Sequence, residues 1–366
     1  MKIFIFSKSS WNVYNFRKNL IKSLIKKKNK VFIFCKKDQY NKKLVQIGCK
    51  TIDLNFDNDR INFFKDFKAF IKICNYSKKI KPDYLLNFNI KPMIYGSLLS
   101  RYYKIKCINT ITGLGTIFLK SNFIKNIFLF IYKIVFSSNN IKIFFHNKDD
   151  KNLFIKKKIV LKKNAFLVWG SGVDTKFFYY KKIKNKKKIV FLFIGRLIFS
   201  KGIREFVEAS KYFINNKLIS FEMIGPLSSS KKIGFSNNEI KTITKQKNLF
   251  YLGNQNDVRE YIAASSCVVL PSYREGMPKS LLEASAMGRP LIASTVEGSK
   301  DIVVNGYNGY KCKVKDVKKL ILVLKKFKNT SYMLRNKMSI NSRKQAVENF
   351  NEKLIINKYI KIIDNF

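Results

Sequence analysis

Two successive runs of alternating strands and helices dominate this chain, and they leave few folds open to it. The first run starts at the N-terminus. "KIFIF" is a short apolar run and "SKSSW" reads as a polar turn. From Asn15 the spacing turns helical, with Phe16, Leu20, Leu24 and Ile25 on one face and Arg17, Lys18, Lys22 and Lys26 elsewhere. "VFIFC" from Val31, "PDYLLNF" from Pro82 and "KCINTITG" from Lys106 read as further strands, with helical stretches between them. The pattern restarts at Lys188. "KIVFLFIG", "ISFEMIG", "NLFYLG", "CVVLPS" and "PLIAS" are strand-like, a helix is expected from about Gly202 to Phe213, and the chain after Asp316 reads as helix. Strands alternating with helices imply parallel, doubly wound sheets. The fold class is therefore α/β, with two such domains, and the lysine-rich "YYKKIKNKKKIV", which has no apolar period, is the expected linker.

Composition narrows the function. Two domains suit a length of 366 residues, and a hydrophobic fraction of 46% is enough for two cores. The formal net charge of +50 is extreme. A nucleic-acid binder clusters its basic residues and interleaves base-reading side chains. Here only ten of the 73 basic residues are arginine, and the lysines are spread along the whole chain. Codon drift in a low-GC genome accounts for most of this charge, and attraction to anionic lipid would act on top of it.

The six cysteines, Cys35, Cys49, Cys74, Cys107, Cys267 and Cys312, include no C-x-x-C pair, and the chain has one histidine. No zinc site at ligand spacing can be built from Cys and His here, and no cofactor is expected. Buried reduced thiols are expected instead. The N-terminal apolar run is four residues long and lacks a small-residue cleavage site, so no signal peptide is expected. No run has the length of a membrane span. Neither half carries G-x-G-x-x-G or a P-loop, which argues against a dehydrogenase or a P-loop enzyme.

The chemistry concentrates in "SYREGMPKSLLEASAMG", Ser272 to Gly288. "CVVLPS" ends a strand, Pro278 suits the first position of a helix, and Gly288 suits the position after its C-cap. Glu275 then lies in the strand-to-helix loop and Glu283 on the helix. Free N–H groups at a helix start favour a phosphate. Two acids around such a start would accept bonds from the hydroxyls of a nucleotide sugar. The plainer reading, a capping Glu275 and a solvated Glu283, stays open on spacing alone.

The longer string "PSYREGMPKSLLEASAMGRPLIAS…EGSKDIV…NGYNGY" resembles the C-terminal domain of the retaining glycosyltransferases of family 4, with their E-x7-E signature. "IGRLIFSKGIREFVEAS" is similar to the segment that carries their diphosphate-binding pair, matched by Arg196 and Lys201. "GSGVDTKFF", Gly170 to Phe178, resembles the segment that enters the second domain. "NIKPMIYGSLLSRYYKIKCINTITGLGTIF" resembles a bacterial branch that builds capsule, O-antigen and N-glycan precursors on undecaprenyl diphosphate. The resemblance covers nearly the whole chain.

It implies a GT-B fold, two Rossmann-like domains facing a central cleft, with the C-terminal helices crossing back to the first. The expected ranges are 1–178 for an acceptor-binding domain, 179–345 for a nucleotide-sugar-binding domain, and 346–366 for the returning helix. It implies that Glu275 contacts the donor sugar and that Glu283 holds the ribose hydroxyls. Gly276, Met277, Pro278, Gly195 and Gly172 would line the donor site, and Arg196 and Lys201 would neutralise charge on the leaving diphosphate without a metal. The implied substrates are a UDP-sugar, with an N-acetylhexosamine expected, and a lipid-diphosphate-linked saccharide. The implied location is cytoplasmic and peripheral, on the inner face of the membrane.

For the acceptor side, "TGLGTIF" (Thr112, Gly113, Leu114, Gly115 and onward) is the expected loop, since its glycines let backbone come close to a ligand. A tight strand-to-helix turn is the alternative. "SKSSWNVYNFR" is expected as a loop whose Arg17 meets an acceptor phosphate. His146 follows a strand and precedes a helix start, so a structural or surface role is expected for it. The stretch from Ser121 to Asn140 winds into a helix with a narrow polar face and a broad apolar one, suited either to the core of the first domain or to dipping into the lipid leaflet. Rival classes are a nucleic-acid binder, which the dispersed charge disfavours, a family 4 enzyme with a soluble acceptor, and one that takes a GDP-sugar.

Overall fold

The computed structural model describes residues 1–54, 62–114, 122–228, 230 and 232–366. The chain divides into two compact units, Met1–Ser171 with Ile355–Phe366, and Gly172–Leu354.

Unit 1 is built on seven parallel strands: β1 (Lys2–Ser9), β2 (Lys30–Lys36), β3 (Lys50–Asp53), β4 (Tyr84–Phe88), β5 (Lys106–Ile111), β6 (Ile141–Phe145) and β7 (Ala165–Leu167). Their order in the sheet is β3-β2-β1-β4-β5-β6-β7. The apolar runs seen in the sequence are continuous because both sheet faces are covered. Ile3 and Ile5 of β1 point into one core, and Phe4 and Phe6 into the other. The helices are α1 (Ser10–Lys26), α2 (Asn41–Gln46), α3 (Phe63–Ile80), α4 (Ile90–Tyr103), α5 (Asn122–Val135) and α6 (Lys148–Lys156). The cores sort them by face: α1 and α2 lie on the Ile3 side, and α3, α4, α5 and α6 on the Phe4 side.

Unit 2 has six parallel strands, β8 (Ile189–Ile194), β9 (Ile219–Ile224), β10 (Leu249–Tyr251), β11 (Cys267–Leu270), β12 (Leu291–Ser294) and β13 (Gly309–Cys312), in the order β10-β9-β8-β11-β12-β13. Its helices are α7 (Ile203–Tyr212), α8 (Asn237–Ile243), α9 (Arg259–Ala264), α10 (Lys279–Ala286), α11 (Ser299–Ile302), α12 (Val317–Asn329) and α13 (Tyr332–Asn349). A last helix, α14 (Glu352–Asp364), places Ile355, Tyr359 and Ile363 in the Ile3-side core of unit 1, as the returning helix requires.

Both sheets reverse direction once, between β1 and β4 and between β8 and β11. Ligands of doubly wound sheets bind outside the carboxyl ends of the strands at such points. Two local readings are corrected. The polar turn expected at "SKSSW" is absent: β1 runs to Ser9, whose side chain accepts from the backbone N–H of Asn12 at 3.2 Å and caps α1 directly. Pro278 is the N-cap of α10 rather than its first helical residue. The stretch 181–186 is irregular, and backbone carbonyls of Lys181 and Ile183 accept bonds from Arg289 and Tyr332, so it is held against unit 2. All six cysteines are free thiols, five of them buried.

Candidate functional site

The site of unit 2 forms where β8 and β11 release the chain. After β8 come Gly195 and Arg196, then a short 3-10 turn from Phe199 to Lys201, then α7. After β11 come Pro271, Ser272 and the loop to α10. Backbone pairing ties the two segments together. Tyr273 N donates to Ser200 O at 2.9 Å, and the Tyr273 hydroxyl donates to Glu205 at 2.7 Å. Gly202 lies between them at φ +76°, and a Cβ there would stand 2.1 Å from the Pro271 carbonyl oxygen. Only glycine allows this approach.

That approach sets the first functional contact. Lys201 Nζ donates to both carboxylate oxygens of Glu275, at 2.6 and 2.8 Å. Glu275 is buried and the Lys201 side chain keeps about a quarter of its exposure. Arg196, by contrast, is exposed. Next along the loop, Gly276 and Met277 precede Pro278 at the head of α10, and Met277 is buried. Glu283 is half-buried on α10, one turn beyond Lys279. Burial pushes its carboxyl up to about 7, with Asp257 reinforcing the shift and Lys279 opposing it. Gly288 follows the C-cap Met287 at φ +72°, the position expected for it.

Arg196, Lys201, Glu275, Gly276 and Glu283 thus share the carboxyl end of one sheet. Gly195 leaves this edge bare of side chain, since a Cβ there would meet nothing closer than Phe193 at 3.7 Å. Gly172 sits elsewhere in unit 2. It is buried against Glu352, whose Cα would lie 2.5 Å from an added Cβ, so packing alone explains this glycine. Sequence reasoning missed the Arg274–Glu297 ion pair at 3.3 Å, which ties the site loop to the segment after β12. It also missed Asp257, bound by Arg259. Only proximity in space marks these residues, and they carry no signature spacing.

In unit 1, Thr112 and Gly113 are half-buried at the end of β5, and Gly113 has φ +126°. The Leu114 side chain is buried in the Phe4-side core, which leaves its backbone alone for a ligand. Gly115 lies outside the described residues. Arg17 stands on α1, not in a loop, and is buried, as is His146 between β6 and α6.

Residues 175–345 match the family model of glycosyl transferases group 1, and residues 2–147 match that of the glycosyl transferase 4-like proteins. Along its whole length, and 98% of the relative's, the chain is 28% identical to the N,N'-diacetylbacillosaminyl-diphospho-undecaprenol alpha-1,3-N-acetylgalactosaminyltransferase of Campylobacter jejuni. Over 83% of the chain and 80% of the relative it is 29% identical to the UDP-Gal:alpha-D-GlcNAc-diphosphoundecaprenol alpha-1,3-galactosyltransferase of Escherichia coli. Among solved structures it shares its fold with a glycosyltransferase from Rickettsia africae (TM-score 0.82, 17% identity, 100% and 98% of the two chains covered). It also shares it with Anabaena HepE in complex with UDP and glucose (TM-score 0.79, 14% identity, both chains covered in full). With one model lying on each unit and the paired glutamates in place at the switch point of the second, the chain belongs to the group 1 and 4-like glycosyltransferases, enzymes that transfer a sugar.

Proposed function

We propose that this enzyme moves a sugar, expected to be an N-acetylhexosamine, from a UDP-sugar to a saccharide carried on undecaprenyl diphosphate, with retention of anomeric configuration. The observation that carries the donor half is the Lys201–Glu275 pair at the β8/β11 switch point, with Glu283 on the helix that follows β11. An ionised Glu283 accepts from both ribose hydroxyls. The backbone N–H groups at the head of α10 face the diphosphate, where the helix dipole favours negative charge. Arg196 and Lys201 neutralise that diphosphate as it departs, and Glu275 accepts from donor-sugar hydroxyls while holding Lys201 in place. Retention follows if the leaving phosphate oxygen takes the acceptor's proton on the face it vacates, which requires no separate base.

The acceptor half rests on relatives whose names specify diphospho-undecaprenol acceptors. A lipid-linked acceptor calls for contact with the membrane, and unit 1 offers a surface for it. On α5, Leu129, Tyr132 and Val135 are buried, whereas Phe123 is 75% exposed and Ile127, Phe130 and Ile134 are exposed with it. The expectation of a core helix is met on one side of α5, and its other side leaves an apolar face open that lipid could take up. Exposed apolar side chains also stand on α3, Phe64, Phe67 and Ile71, and on α4, Leu98 and Tyr102. Asp66–Lys91 joins α3 to α4, and Arg101 donates to Ile134 O at 2.6 Å to join α4 to α5. Among the described residues no helix is long and apolar enough to cross a membrane, so this contact would be peripheral.

Nucleotide sugars screened by thermal shift, followed by turnover with a synthetic lipid-diphosphate saccharide, test the reading. UDP-sugars should stabilise the protein and release UDP only with the lipid acceptor. Stabilisation by GDP-sugars alone, or turnover with a free saccharide alone, would overturn it.

A further inference from the structure

Arg17 lies on α1, just beyond β1, with its guanidinium carbon 4.2 Å from the centre of the Phe88 ring at the end of β4. It is 4% exposed. A buried cation is strongly unfavourable unless acceptors surround it. Two other arginines of this chain show the ordinary solution. Arg289, also buried, donates to the carbonyls of Ala263, Ser265, Lys181 and Met287. Arg343 donates to those of Thr175, Phe178 and Ala286. Among the described residues Arg17 has no such acceptor and no carboxylate beside it. The segment after β5, Thr112 to Ser121, contains no acid that would supply one.

A second buried group is left open within electrostatic reach of Arg17. His146, at the end of β6, is 5% exposed, and its ring Nε2 has no hydrogen-bond partner. Burial and the charge of Arg17 both keep the imidazole neutral, so it adds a donor without adding a second charge. The two residues belong to one cluster. Tyr359 of α14 packs 6.4 Å from Phe88 and 4.3 Å from Phe144, and its hydroxyl bonds that of Thr110 at 2.7 Å. Arg17 and Phe88 mark the point where β1 and β4 diverge, the switch point of this sheet.

We propose that Arg17, together with His146, is an anion site of unit 1 whose ligand is the diphosphate that links the acceptor saccharide to its lipid. The assignment rests on the proposed acceptor class. A guanidinium matches two phosphate oxygens at once, and the low-dielectric setting strengthens each bond. The face of Phe88 fixes its plane. The neutral imidazole supplies a further donor without competing for the anion.

The test uses the whole protein with UDP held saturating, so that the diphosphate-binding residues of unit 2 are occupied. Inorganic pyrophosphate is titrated by calorimetry, and farnesyl diphosphate is then added as competitor. The wild type should bind pyrophosphate and farnesyl diphosphate should displace it. Arg17→Met keeps the aliphatic stem on Phe88 and should weaken pyrophosphate about tenfold or more, with UDP binding unchanged. Because it removes an uncompensated charge, the ligand-free Met variant should melt at or above the wild type. A Met variant that melts well below the wild type or fails to fold makes Arg17 a packing residue and overturns the proposal. So does pyrophosphate binding that is absent or indifferent to the substitution. Binding that farnesyl diphosphate does not displace overturns the lipid source and retains a site for free phosphate. Failure of UDP to bind would count against the donor site alone, since the comparison of wild type with Arg17→Met still reads the unit 1 site.

Discussion

The ammonium of Lys201 bridges both carboxylate oxygens of Glu275 across 74 positions of sequence, at 2.6 and 2.8 Å. The pair joins two segments that leave neighbouring strands, and it places a cation and an acid of one site in direct contact. Three consequences concern this site and a fourth concerns the helices of unit 1.

Removing either partner should have unequal effects. Lys201→Ala leaves a buried carboxylate unpaired and should lower stability by about 3 kcal/mol or more. Glu275→Gln leaves an ammonium that still reaches water and should destabilise less. In the Lys201→Met, Glu275→Gln double variant most of that loss should return, which a double-mutant cycle by chemical denaturation would measure. Turnover should stay low in all three, by about 10²-fold or more. Arg196→Ala should match that loss of turnover with no change in melting, because Arg196 is exposed.

Donor affinity should depend on pH through Glu283. Its carboxyl, pushed up to about 7, is largely protonated at pH 6 and ionised at pH 8. Ribose hydroxyls favour the ionised form, so a UDP-sugar should bind more tightly as pH rises, by up to about tenfold per unit below pH 7. The contribution of this group to the stability of the ligand-free protein runs the other way. Its folded value exceeds the unfolded 4.5, so that contribution is full below about 4.5 and lost as pH rises through 7. Glu283→Gln should flatten the binding profile and weaken the plateau by roughly 1–3 kcal/mol. A sloping profile in the Gln variant would remove Glu283 from the site.

Gly202→Ala should be more damaging than a surface glycine substitution. The added methyl would meet Pro271 O at 2.1 Å in a left-handed backbone, at a cost of about 2 kcal/mol or more. The turn that carries Lys201 would have to move away from the Glu275 loop, so turnover should fall even at temperatures where the variant is fully folded. Gly253→Ala, at a position of the same φ with no atom within 4 Å of the new methyl, is the control.

Membrane binding should be separable from folding. Phe123→Asn with Ile127→Asn alters two exposed side chains, so melting should shift little. If that face enters lipid, the double variant should lose about 3 kcal/mol or more of affinity for anionic vesicles, read by co-sedimentation at low salt. The wild type should be released as salt rises, because screening shortens the attraction of the surrounding lysines. Leu129→Asn, by contrast, should unfold unit 1, since Leu129 lies in its core.

The alternation of apolar runs with helical periods was enough to settle both parallel sheets, because strands covered on two faces must be apolar throughout. The carboxyl-end placement of Arg196, Lys201 and Glu275 followed from the same order, since each lies in the connection from a strand to the next helix, and Glu283 stands on the helix that follows β11. Short edge strands such as β3, β7 and β13 escaped notice, having only three or four residues to show a pattern. The direct passage from β1 to α1 escaped as well, because the Ser9 cap is a hydrogen bond and not a spacing. Tertiary structure alone decided which charges are met. In the sequence Arg17, Arg289 and Arg343 are three arginines among 73 basic residues, and nothing local tells them apart. Folding surrounds two of them with carbonyl oxygens and sets the third against a phenyl ring, with no acceptor among the described residues. A buried charge is balanced by whatever the fold brings within about 3 Å of it, and those atoms come from elements that the chain's local patterns do not link.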